Sequence, residues 1–265
     1  MMTRREHYST ALTQAQGIVE ESLRLFEIWE PGISVAGLFE IARSQGTLGA
    51  QSESRLRNIV TEGFGSRFLR SPHLEAAPSI KKLLLSSESP KFVRDLILLY
   101  AIRQHGIFFD FLAFSYWPAL QASGGSIDTV EVGALIDRGR IEGKLEKDWS
   151  TSVRKRVSSY VLGIAKDFEL VSHPSRGRWR LHSWHPHEDT LLYLAYDLHF
   201  LGLSDDQVLH ADEWRAFGLE RADVVMYLQR FQSNDHLLVQ DSGALCRIDW
   251  TYPTRDALSD AFLRQ

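Results

Sequence analysis

The side chains in this sequence best placed to do chemistry are cations. Arg154, Lys155 and Arg156 are consecutive, and Arg176, Arg178 and Arg180 follow at every second position. A guanidinium presents a planar fork of N–H donors that fits phosphate oxygens and base edges, and a period of two puts alternate side chains on one face of a strand. The chemistry these groups offer is the binding of a polyanion, not the making or breaking of bonds. Arg55, Arg57 and Arg67, in an earlier segment, extend the set of candidate DNA contacts. Between Ser150 and His182 seven basic residues stand against two acidic ones, a local charge of +5. A charge run is ordinarily no more than a solvated face, but here two clusters fall on successive elements of one unit, which favours a ligand.

Other residue types offer less. His182, His185, His187, Glu188 and Asp189 have the chemistry of metal ligands, yet their spacing matches no known site and Pro186 makes the run look like a connector, so no metal is expected. The single cysteine, Cys246, excludes an intrachain disulfide and is expected as a small buried strand residue and not a nucleophile. The sequence contains no phosphate-binding loop, dinucleotide glycine fingerprint, nucleophile elbow or paired-histidine helix. The expectation is a protein that is not an enzyme, with no catalytic residues and no cofactor.

Composition sets the frame for these residues. The chain has 265 residues, 44% of them hydrophobic and 24% charged, the balance of an ordinary folded soluble protein. Its first residues lack the apolar core and cleavage site of a secretory signal, and one cysteine suits a reducing compartment, so a cytoplasmic location is expected. The most apolar stretch, Leu96 to Phe114, contains Arg103, Gln104, His105 and Asp110 and reads as a buried core helix and not a membrane span. Charge is unevenly divided. Residues 1–182 carry 24 basic and 20 acidic side chains, and residues 183–265 carry 6 and 14, so the net −4 splits into +4 and −8. A polyanion is steered to the first part.

The elements that must position the cations follow from hydrophobic period and breakers. A helical N-terminal domain, residues 1–122, is expected as a bundle of helix-turn-helix type. Its helices lie between Thr13 and Trp29, from Ser34 to Ala42, and from Ser52 to Phe68, with Arg55, Arg57 and Arg67 on or near the outer face. A long apolar helix from Pro90 to Tyr116 is expected at the centre of the fold. Ala122-Ser123-Gly124-Gly125-Ser126 reads as a hinge. Residues 126–184 then give a helix over 128–138, a connecting segment over 141–149, and a helix opened by Ser150-Thr151. A hairpin turning at His173-Pro174-Ser175-Arg176-Gly177 completes what reads as three helices followed by a basic wing. A third domain, 185–265, repeats this order in acidic form, with helices at 188–201, 205–209 and 220–232 and a hairpin turning at Asp241-Ser242-Gly243. The fold class is mainly α: a helical N-terminal bundle with winged-helix modules carrying short β-hairpins.

Several residue runs carry a resemblance. Ser52-Glu53-Ser54-Arg55-Leu56, Arg67-Phe68-Leu69, and the terminal run from Phe217-Gly218-Leu219 through Gly243 to Arg247-Ile248-Asp249-Trp250, with an apolar middle, are similar to the BrxA family of bacteriophage-exclusion (BREX) systems. The resemblance implies a helical, winged-helix protein that binds double-stranded DNA beside the methyltransferase, ATPase and phosphatase-like components of the defence system. It implies no catalytic residues. The alternative is a protein–protein adaptor that assembles the defence complex without touching DNA. Structured RNA in place of DNA is a further option for an arginine-rich helical protein.

Overall fold

The computed structural model describes residues 7–13, 17–122, 125–173, 178–242 and 246–264. Of the residues singled out above, Ser123, Gly124, Pro174, Ser175, Arg176, Gly177 and Gly243 lie outside these.

The first helices form where side-chain caps meet apolar periodicity. They are α1 (Val19–Ile28) and α2 (Val35–Gln45); Ser34 Oγ accepts the Gly37 N–H at the start of α2, and Gly46 closes it in the left-handed region, φ 63°. Next comes α3 (Glu53–Asn58), capped by Ser52, which passes through a π-helical stretch, Ile59–Gly65, into α4 (Ser66–Phe68). A 3₁₀ turn, His73–Ala76, leads into α5 (Ala77–Ser86). Phe26, Phe64 and Phe68 meet edge-on or tilted at 4.6–5.2 Å and form the aromatic centre of this part.

The long central helix is interrupted. It divides into α6 (Pro90–Gln104) and α7 (Gly106–Phe111), and α7 runs on through a π-helical stretch, Leu112–Tyr116, into α8 (Trp117–Gln121). His105 adopts an extended conformation, its carbonyl accepts the N–H groups of Phe108 and Phe109, and the axis turns by 113°. A helix that is apolar on every side needs partners on every side, and the bend lets each half pack on different neighbours. No single helix among the described residues is long and apolar enough to cross a membrane; the bent pair together passes by length and composition alone.

The next unit holds most of the candidate cations. It comprises β1 (Ser126–Ile127), α9 (Thr129–Ile141), α10 (Thr151–Asp167), β2 (Val171–Ser172) and β3 (Trp179–Leu181). The central strand is β3, antiparallel to both neighbours, with Arg180 opposite Ser126 on one side and Ser172 on the other. This corrects the expected count of three helices. The first element is a strand, and residues 142–150 are not helical.

The remaining elements are α11 (Glu188–Phe200), α12 (Asp205–Leu209), α13 (Glu213–Ala216), α14 (Arg221–Phe231), β4 (Leu237–Asp241), β5 (Cys246–Trp250) and α15 (Arg255–Phe262). The two strands pair antiparallel, Val239 opposite Ile248. The molecule is mainly α with short antiparallel strands. One hydrophobic core runs from Tyr8 to Phe262, so all three sequence regions share it.

Charge is also built into that core. Arg103 of α6 donates to Asp197 Oδ2 on α11 at 2.5 Å and lies 3.4 Å from Glu213 of α13, while Arg255 of α15 pairs with the other Asp197 oxygen. Burial pushes the Asp197 carboxyl up, but the two arginines outweigh it and hold it below the usual carboxylate range. This cluster fastens the C-terminal elements to the central helix.

Candidate nucleic-acid interface

The position of the basic triplet is fixed by what α10 buries. Ser150 Oγ accepts the Val153 N–H and starts the helix, and Val157, Val161, Ile164 and Ala165 face the core. Thr151, Ser152, Lys155, Arg156 and Ser159 are thereby left exposed. Lys155 and Arg156 make no ion pair or side-chain hydrogen bond among the described residues. Two unpaired cations in the opening turns sit near the positive end of the helix dipole, where a cation costs about 0.3–1 kcal/mol at most, fading beyond the first turn. Helix α10 carries no acidic residue in its first turn, a feature it shares with α2, α5 and α6.

The other candidates divide by how far they are already engaged. Arg154 reaches Asp137 Oδ2 at 2.6 Å and the Gly133 carbonyl at 3.3 Å, both on α9. Arg178 pairs with Glu131 and with Asp128 (3.3 Å), and donates to Ser126 Oγ (3.2 Å). Arg180 is exposed while its neighbour Leu181 is buried, so it stands on the outer face of the small sheet, away from the helices. Sequence spacing put Arg178 and Arg180 together with the triplet. The structure instead gives an unpaired pair on α10, two arginines held against α9, and one cation on the outer sheet face.

The N-terminal candidates belong elsewhere. Arg57 pairs with Glu53 (3.1 Å) and lies 4.3 Å over the Phe39 ring, an exposed contact within its own bundle. Arg55 lines a cleft of about 320 Å³ beside Arg94, with Glu20, Glu21, Asp167 and Glu169 around it, surroundings that repel a phosphate. Arg67 corrects the sequence reading most sharply. It is fully buried, donating to Gln104 Oε1 at 3.0 Å and to the Gly17 carbonyl at 2.7 Å, and burial pushes its guanidinium down to about 9. A side chain in that position ties the chain before α1 to α6 and cannot reach a ligand.

Sequence reasoning missed Arg140. It is exposed and lines a small cleft, about 110 Å³, with Asp137, Asp148, Trp149 and Arg154 at the junction of α9 and α10. The helix expected over 128–138 runs on to Ile141, and only that extra turn brings Arg140 to the junction. The histidine-rich connector is used locally: the His182 ring bonds Ser172 Oγ and the Glu169 carbonyl, and His187 caps α11 through Asp189 N–H. Cys246 is buried in β5.

The C-terminal unit repeats the helix and hairpin order with different surface chemistry. Arg221 pairs with Asp241, Arg230 with Glu188 and Arg247 with Asp249. On its helix α14 the exposed positions include Ala222, Met226 and Gln229.

In comparisons with known proteins, a family model described as BrxA matches residues 6–197. The matched stretch contains the 52–56 and 67–69 runs, the basic unit and nearly all of α11; the 217–250 run lies outside it. No curated protein and no solved structure matches the chain.

Proposed function

The chain belongs to the BrxA family, with a role in BREX phage defence in association with other components of that system, and from that premise we propose that it is a non-enzymatic component that binds double-stranded DNA with little sequence preference. The order strand, helix, helix, strand, strand, with the last strand in the middle of the sheet, supports a winged-helix reading in which α10 would take the recognition position. The observation that carries the reading is the opening of α10, where Lys155 and Arg156 stand exposed with no carboxylate partner among the described residues. Contacts of this kind go to phosphates, which position a protein on a duplex but carry no sequence information. The methyltransferase, ATPase and phosphatase-like proteins are its proposed neighbours, and its proposed location is the cytoplasm.

The test is fluorescence anisotropy with a random duplex of about 25 bp at two salt concentrations. Each phosphate neutralised adds about −0.9 to the slope of log affinity against log salt, so two to five contacts give roughly −2 to −4.5. Absence of binding at low salt would overturn the reading. The protein–protein adaptor would then take its place, a role favoured by the acidic C-terminal unit, in which Arg221, Arg230 and Arg247 are already paired with carboxylates.

A further inference from the structure

Two arginines of the basic unit meet carboxylates carried by a single helix. Arg154 of α10 binds Asp137, and Arg178, just before β3, binds Glu131 together with the α9 cap Asp128. A carboxylate offers a guanidinium the same pair of acceptor oxygens that a phosphate does. The Arg154 side chain is 33% exposed and that of Asp137 46%. An ion pair this accessible is weak enough to be exchanged. The charged groups around it are Arg140, on α9, and Asp148, in the connecting segment, which line the same cleft. By charge, Arg140 repels Arg154 and Asp148 attracts it.

We propose that Asp137 is an internal stand-in for a nucleic-acid phosphate: it occupies Arg154 in the free protein and gives it up when a duplex lies along α10, so that α9 sets how tightly DNA is held. Asp137 is in this sense a positioning residue, acting through Arg154. Glu131 acts in parallel on Arg178, but it also closes the capping box of α9 by accepting the Asp128 N–H. Substitution there would disturb the helix, so Asp137 is the residue to test. The inference rests on the duplex-binding reading above.

The experiment is a double-mutant cycle in duplex affinity at low salt, using Asp137→Asn, Arg154→Ala and the pair in the full chain. Releasing Arg154 from an exposed ion pair is expected to tighten binding about fivefold in Asp137→Asn. Asp137→Glu should stay near the parent, and Asp137→Ser, as a second variant, should repeat the gain. In the Arg154→Ala background the Asp137→Asn gain should vanish. A gain that persists without Arg154 would show a general charge effect and overturn the exchange, as would no gain at all. If the parent protein fails to bind duplex, the functional reading itself falls and takes this inference with it; a parent that binds with no Asp137 effect sinks the inference alone.

Discussion

The basic unit, Ser126 to His182, and the C-terminal unit, Glu188 to Phe262, each run a helix into a small antiparallel sheet, α10 into β2–β3 and α14 into β4–β5, yet their surface cations meet different partners. In the first, cations are left on the surface: Lys155, Arg156 and Arg180 are exposed and lack ion pairs among the described residues. In the second, Arg255 turns inward to Asp197, and Arg221, Arg230 and Arg247 each meet a carboxylate. On the proposed reading, the position of carboxylates decides whether a surface cation stays open to a ligand. The C-terminal unit has its own half-buried anchor, because Asp205 accepts hydrogen bonds from the Ile248 N–H and the Trp250 indole and so locks the hairpin to α12.

The comparison breaks first in stability. Asp197→Ala leaves Arg103 and Arg255 without their shared partner in the interior, and the expected loss is about 3–5 kcal/mol in urea unfolding. A loss under about 1 kcal/mol would mean the cluster does not fasten the C-terminal elements.

Second in size is the loss of binding. Lys155→Glu with Arg156→Glu should weaken duplex affinity by roughly two orders of magnitude at low salt, with little change in melting temperature. The matched control, Arg230→Glu with Arg247→Glu, should change affinity by less than about threefold. Equal losses from both pairs would erase the distinction between the units.

A smaller effect comes from pH. His73 lies against Tyr100, ring centroids 5.2 Å apart, and burial, with Arg103 adding to it, lowers its imidazole to about 4. The folded value is below the unfolded one, about 6.5, so the unfolded chain takes up the proton first. The stability it contributes is present above pH 6.5 and is lost as pH falls toward 4. Melting temperature should drop across that window, and the drop should shrink in His73→Phe; an unchanged profile would contradict the assignment. The smallest effect is Arg57→Ala, which removes an exposed pair and ring contact and should cost no more than about 1 kcal/mol, with duplex affinity unchanged.

Local signals in the sequence were enough for the mainly helical class and the helix starts at Ser34, Ser52 and Ser150. What they could not show depends on distant partners. Strand β1 has two residues, too few for a period, and exists because it pairs with Trp179 and Arg180. Arg67 reads as a surface residue by type, and its burial is made tolerable by distant partners, Gln104 and the Gly17 carbonyl among them. Arg103 looked like an interruption in an apolar run, whereas Asp197, far along the chain, makes it part of the core. The engagement of Arg154 and Arg178 was hidden for the same reason, since their carboxylates lie on another helix or at its cap.

The most direct measurement is amide hydrogen exchange of the full chain with and without a random duplex. Protection gained at the start of α10, residues 151–159, and none in α14, residues 221–231, is the result expected if the basic unit carries the DNA. Protection confined to α14 and the β4–β5 hairpin, or absent from both units while DNA is bound, would contradict it.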